Sequence, residues 1–196
     1  MSQYDLDALL EECRCQHGHL CPGQLLGVRM ALLGCRSIGL ADPRGADRKK
    51  FLVWVEIDRC MADAVGAVTG ARLGRRSLKY LDYGKVAASF LNLETGAAVR
   101  ITALDEARQL AEQRHPELES KKERQWQTYK QAEDKELFKF ERVKILLDEN
   151  DMPGRPRSRV ICEICGEGIN DGREVLSEAQ RILCRPCAGS GYYQLL

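Results

Sequence analysis

The sequence has no excess of either charge: thirty Lys and Arg face twenty-nine Asp and Glu, a formal net charge of +1. A global field that could hold nucleic acid or an anionic membrane is therefore excluded, and any such binding has to be local. Long apolar runs are missing as well. No stretch approaches the roughly 20 apolar residues of a membrane helix, and the opening MSQYDLDALLEEC is too acidic for a signal peptide. The expected setting is the cytoplasm, with no membrane partner. Histidines number only three, and no cysteine occurs among the 101 residues between Cys60 and Cys162. What is present, 44% hydrophobic and 30% charged residues, describes a folded chain and excludes one disordered throughout.

Nine cysteines in a reducing compartment are poor candidates for disulfides, and an odd number cannot pair completely. They form two groups, Cys13, Cys15, Cys21, Cys35 and Cys60 early and Cys162, Cys165, Cys184 and Cys187 late. Two thiol-bearing units follow: a core over 1–150 that includes a helical connection, a linker at 151–159, and a small unit at 160–196. The linker DMPGRPRSR carries two prolines, a glycine and three arginines, which suit neither helix nor sheet.

Apolar periodicity predicts helices over about 4–16, from Pro22 to a Gly34 cap, and over 59–68 with Asp58 as cap and Thr69-Gly70 as stop. FLVWVEI reads as a central strand, and LKYLDYG, VAASFLNL and AAVRIT as consecutive antiparallel strands. ALDEARQLAEQRH is helical up to Pro116, and much of the stretch from Glu117 to Leu147 reads as a long helix. Its Trp126, Tyr129, Leu137, Phe138, Phe140, Val143, Leu146 and Leu147 would serve dimerisation or docking, or else pack on the core sheet. The fold class is α+β: a mixed or antiparallel sheet flanked by helices, a long helical connection and a C-terminal zinc ribbon.

Cys162-Glu-Ile-Cys165 and Cys184-Arg-Pro-Cys187 are two Cys-x₂-Cys knuckles, 18 residues apart. Four thiolates at that spacing close a tetrahedron around zinc, the expected structural cofactor, with rubredoxin-like iron as the chemical alternative. No position stays open for substrate. Arginines make this end locally basic, but Glu163, Glu167, Asp171, Glu174 and Glu178 offset them, so nucleic acid is not the expected partner.

Cys13-Arg-Cys15-Gln-His17-Gly-His19-Leu-Cys21 gathers three thiols and two of the three imidazoles into nine residues. Cys13 and Cys35 fall on helix faces and read as small core residues. His17, His19 and Cys21 lie at a connection between helices, with Cys21 as N-cap and Cys60 in another first turn, where a helix dipole favours thiolate. The residues point to a second metal ion, zinc by preference, held by His19, Cys21 and Cys60 with His17 as alternative ligand or neighbour. A metal-free reactive thiol site and plain packing are the other readings.

His17-Gly-His19-Leu-Cys21-Pro-Gly with Leu26-Gly27-Val28-Arg29 resembles the opening signature of the FmdE family, named for a component of formylmethanofuran dehydrogenase. Asp58-Arg-Cys60-Met-Ala-Asp-Ala64, Thr69-Gly70, Leu73-Gly74 and Asp82-Tyr-Gly-Lys85 resemble its second block, and Glu136-Leu-Phe138 with the late knuckles its C-terminal extension. The resemblance implies a dimerising α+β core, a metal cleft of His17, His19, Cys21 and Cys60, and a tail similar to TraR/DksA-type zinc fingers. Many members read Cys-Thr-Leu-Gly after Thr-Gly, where this chain has Ala71-Arg72-Leu73-Gly74, one possible ligand fewer. The implied function is a metal-binding accessory protein for a molybdenum- or tungsten-dependent oxidoreductase of formylmethanofuran or formate dehydrogenase type, whose subunits would be partners alongside a second copy of the chain. Two further readings stand beside it: a metalloenzyme acting at the cleft, and a metal- or redox-sensing regulator touching nucleic acid through the ribbon.

Overall fold

The computed structural model describes residues 5–194. They fall into two compact units, one through Leu146 and one from Leu147. The expected helix start at residue 4 and the last two residues of the expected ribbon lie outside the described residues.

In the first unit, α1 (Leu6–His17) begins at Asp5, whose carboxylate accepts from the Asp7 N–H, and stops at Gly18, left-handed at φ 89°. Its Leu9, Leu10 and Cys13 are buried. Next, α2 (Pro22–Ser37) starts on a proline that needs no N–H partner. Gly34 does not cap it, because the helix continues three residues further. A Cβ there would lie 2.4 Å from Phe90 Cδ2 of the sheet, so close packing is what this glycine serves. Strand β1 (Phe51–Val55) leads to α3 (Cys60–Thr69), which ends at left-handed Gly70 as its sequence predicts. Arg59, not Asp58, occupies the N-cap, and no side chain caps this end.

The sheet has the order β2-β1-β3-β4-β5, with β2 at Leu78–Tyr80, β3 at Ala87–Asn92, β4 at Ala98–Ala103 and β5 at Phe138–Arg142. β3 pairs antiparallel with β1 and with β4. β2 corrects the expectation of three consecutive antiparallel strands: it runs parallel to β1, Val53 opposite Leu78. The stretch after α3 crosses back to the outer side of β1, and parallel pairing follows. Phe51, Val53, Val55, Ala88, Phe90, Val99 and Ile101 alternate onto one face and join the helices in a single core.

The long helix expected after Pro116 is not formed. Beyond α4 (Glu106–Arg114) the chain makes α5 (Lys121–Gln131), the single turn α6 (Asp134–Leu137) and then β5. FKFER alternates apolar and polar residues, a period of two that suits the open edge of β4, where Phe140 faces Ile101. Tyr129, Leu137 and Phe138 are buried in the core and Trp126 packs against it, whereas Phe140 and Leu146 stay exposed. Arg29 of α2 ties the region down, donating to the Tyr129 and Ala132 carbonyls and to Asp134.

In the second unit, β6 (Arg159–Ile161) and β7 (Gly168–Asn170) form one hairpin and β8 (Val175–Leu176) and β9 (Ile182–Leu183) another. The Glu163 N–H donates to the Ile182 carbonyl at 2.9 Å and joins them. Cys162, Ile169 and Leu183 form its small core. Among the described residues no helix is long and apolar enough to cross a membrane.

α2 and α3 touch at Gly27, where a Cβ would stand 2.6 Å from the Met61 carbonyl oxygen and 2.8 Å from Ala64 Cβ. Gly27→Ala should lower unfolding free energy by about 1–3 kcal/mol, the cost of overpacking a close-packed core. Gly23→Ala, which meets only ordinary contacts at 3.6 Å, should be neutral or raise stability by about 0.5–1 kcal/mol. Urea denaturation checks the pair; a Gly27→Ala protein as stable as wild type would rule out this contact as a tight one.

Candidate functional site

The late cysteines form a closed set. Their four sulfurs all lie within 4.8 Å of one another, the one group of three or more ligand atoms so gathered among the described residues. Cys165 Sγ and Cys184 Sγ are 3.8 Å apart, about the edge of a tetrahedron with metal–sulfur bonds of about 2.3 Å. Each knuckle is shaped by the backbone: Gly166 turns left-handed at φ 73° and donates to the Cys162 carbonyl at 2.9 Å. Backbone N–H groups of Cys165 and Cys184 hold the Cys162 thiol down at about 6, whereas its neighbours, Cys184 first, push Cys187 up to about 12. Four thiols this close cannot all ionise without a cation between them, so the donor set fits one tetrahedral metal ion and is consistent with structural zinc.

The early residues are gathered by three helix ends. Cys21 is the N-cap of α2 and Cys60 the first residue of α3. A Cβ on Gly23 would sit 3.6 Å from Cys21 Sγ and 3.6 Å from Cys60 Cβ, so the two cysteines flank that glycine. His17, last residue of α1, reaches Asp63 of α3 through Nδ1 at 2.8 Å, and the exposed His19 ring lies 4.9 Å from that of His17. The two cysteines are thus paired beside Gly23 and the two imidazoles beside each other, with His17 tied to the helix that begins at Cys60. This arrangement is looser than the tetrathiolate.

The thiol chemistry differs from the sequence expectation in one respect. Burial, and then the Cys21 thiol beside it, raise the Cys60 pKa, so the helix end does not by itself make a ready thiolate. A divalent cation would reverse this, because it supplies the opposite charge that two adjacent sulfurs lack. Two thiols and two imidazoles are donors suited to zinc. Cys13 and Cys35 are core residues, as their helix positions predict, and burial pushes their pKa values up to about 11 and about 12. Ala71, 1% exposed, is packed into the core and offers no ligand.

Three positioning interactions have no counterpart among the sequence expectations. Gln24, fully buried, accepts from the Cys21 N–H and donates to the Cys13 carbonyl, locking the Cys21 backbone to α1. Cys21-x-x-Gln24 is the spacing of a capping box, the signal that could have revealed it. Glu56, buried at the end of β1, takes two hydrogen bonds of 2.7 Å from Arg100, and its carbonyl accepts from Tyr83 and Lys85. That fixes the strand end from which the chain turns into Cys60. Asp63, three residues beyond Cys60, shares its helix face.

Stripping metal with a chelator, or replacing Cys184 by Ser, should collapse the amide NMR signals of residues 159–190 toward random-coil positions and leave those of residues 5–146 in place. A single transition that unfolds the whole chain, or no change in the tail, would refute this.

Residues 16–139 match the family described as FmdE, Molybdenum formylmethanofuran dehydrogenase operon. Among solved structures, a tungsten formylmethanofuran dehydrogenase FmdE-like protein from Syntrophus aciditrophicus is 25% identical, with a TM-score of 0.65 over 98% of this chain and 96% of that one. A curated relative from Archaeoglobus fulgidus, named a probable S-adenosyl-L-methionine-binding protein, is 36% identical over 100 residues. Those residues are 50% of this chain and 27% of the relative, so the shared part spans about a quarter of that protein's length. The family match covers well over half of the chain and includes His17, His19, Cys21 and Cys60: this protein belongs to the FmdE family.

Proposed function

We propose that this chain is a zinc-bearing, cytoplasmic accessory protein that binds a second metal ion through Cys21, Cys60, His19 and His17 and assists or regulates a molybdenum- or tungsten-dependent oxidoreductase of formylmethanofuran or formate dehydrogenase type. The observation that carries the metal reading is the placement of Cys21 and Cys60 on either side of Gly23 at two helix N-termini, with His17 held against the same helix as Cys60. A metal bound there would supply a Lewis-acidic charge; the chain's own part is to hold two sulfurs and an imidazole in one place. The oxidoreductase partner rests on the family description and on the name of the structural relative. S-adenosylmethionine binding is not carried across, because the shared segment is a minor part of that relative.

Homodimerisation belongs to the same reading. The edge strand β5 and its half-exposed Phe140 supply a surface for a second copy. The regulator reading is weakened by the ribbon's own charges: Arg157, Arg173 and Arg181 are paired with Glu149, Asp151 and Glu163.

Metal analysis tests the sites directly. Wild type should carry two zinc equivalents per chain, and Cys21→Ser and Cys184→Ser one each; a Cys21→Ser protein with the wild-type content would remove the second site. For the partner, a host lacking this gene should lose molybdenum- or tungsten-dependent formate or formylmethanofuran oxidation, regained with wild type but not with Cys21→Ser/Cys60→Ser. Full activity in the deletion strain would sink the accessory role.

A further inference from the structure

Asp63 is the one acidic residue in the first turn of α3, and its carboxylate Oδ2 lies 2.8 Å from Nδ1 of His17, 46 residues earlier in the chain. A carboxylate carries no proton of its own, so Nδ1 of the imidazole has to supply it. In the neutral ring, with the proton on Nδ1, the other nitrogen, Nε2, keeps its lone pair. Resting on the metal reading above, we infer that Asp63 is a positioning residue: it fixes the His17 ring against α3 in the Nδ1–H tautomer and thereby makes Nε2 a ligand for an ion shared with Cys21 and Cys60.

Several observations converge on this role. Cys60 and Asp63 sit three residues apart on α3, so both project from one face of its first turn. His17 is the less exposed partner, its side chain 20% accessible against 64% for Asp63, and its ring packs at 4.9 Å from His19. An imidazole whose second nitrogen donates to a carboxylate is the usual arrangement of metal-bound histidine, because the carboxylate fixes ring orientation and raises the basicity of the ligating nitrogen. Here that partner comes from the helix that also carries Cys60. A change at Asp63 would thus act on the metal through His17. The competing explanation is purely local, an acidic side chain near a helix N-terminus favoured by the dipole. It predicts no effect on His17 or on metal affinity.

Two measurements on the full chain separate these explanations. In the metal-free chain, long-range ¹H–¹⁵N NMR should show His17 protonated on Nδ1 in wild type and shifted toward the Nε2–H form in Asp63→Ala. Protein carrying one zinc per chain is then titrated with cobalt(II), whose thiolate charge-transfer and d–d bands report binding at the second site. Asp63→Ala should bind this cobalt about 10–100-fold more weakly. Asp63→Asn, whose amide oxygen can still accept from Nδ1, should recover most of the loss despite lacking the charge; it also covers the case in which Asp63→Ala loosens α3. Equal cobalt affinity in wild type and Asp63→Ala, or a wild-type His17 protonated on Nε2, would overturn the inference while leaving the metal site intact. Absence of cobalt binding to zinc-loaded wild type itself would instead overturn the metal reading, and this role with it.

Discussion

The contact between α2 and α3 is the constraint on which the first unit depends. It exists because residue 27 has no side chain: the Met61 carbonyl oxygen and Ala64 fill the space that a Cβ would need. The contacts advance together along the two helices, Gly23 beside Cys60 and Gly27 beside Met61 and Ala64. The helices therefore run in the same direction and bring their N-termini to one end. That alignment sets the positive ends of two helix dipoles and two cysteines side by side. At the opposite end of α2, Gly34 lets the Phe90 ring of β3 approach the helix backbone, so the same helix is seated on the sheet. Arg29, between them, gathers the end of α5 and the start of α6.

The nine cysteines divide according to their surroundings. Cys13 and Cys35 are packed among apolar residues and act as small hydrophobes, their thiols held protonated by burial. Cys162, Cys165, Cys184 and Cys187 face one another across a space the size of one ion. Cys21 and Cys60 are partly buried beside each other, between those extremes. Partial burial with a like neighbour makes a thiol sensitive to an incoming cation, because the ion changes both proton affinities at once.

What could be read in the sequence follows the range of the interactions. The knuckles, the glycine stop at Gly70 and the proline start of α2 are encoded within a few residues, and all were legible. The alternation of FKFER was equally local, but the apolar residues that follow it made a helix look plausible, and only the open edge of β4 decides for a strand. The direction of β2 could not be read, because Leu78–Tyr80 is too short to carry a signal and its pairing depends on where α3 delivers the chain. The closeness of Cys21 and Cys60 was legible in their places at two helix starts as well as in the family resemblance. The groups that hold them were not: Gln24 and the Glu56–Arg100 pair bridge elements distant in sequence, and a buried glutamine has no periodic signature.

The two sites also differ in how they come into being. The ribbon's ligands lie within 26 consecutive residues, from Cys162 to Cys187, on hairpins that close short loops. Short loops have a small closure entropy and form early, so this site can assemble with little help from the rest of the chain. Cys21 comes beside Cys60, and His17 beside Asp63, only after three helices have packed on a sheet whose strands come from distant parts of the sequence. The proposed second site is therefore a property of the finished core, and a ligand bound there would select chains that have completed their fold.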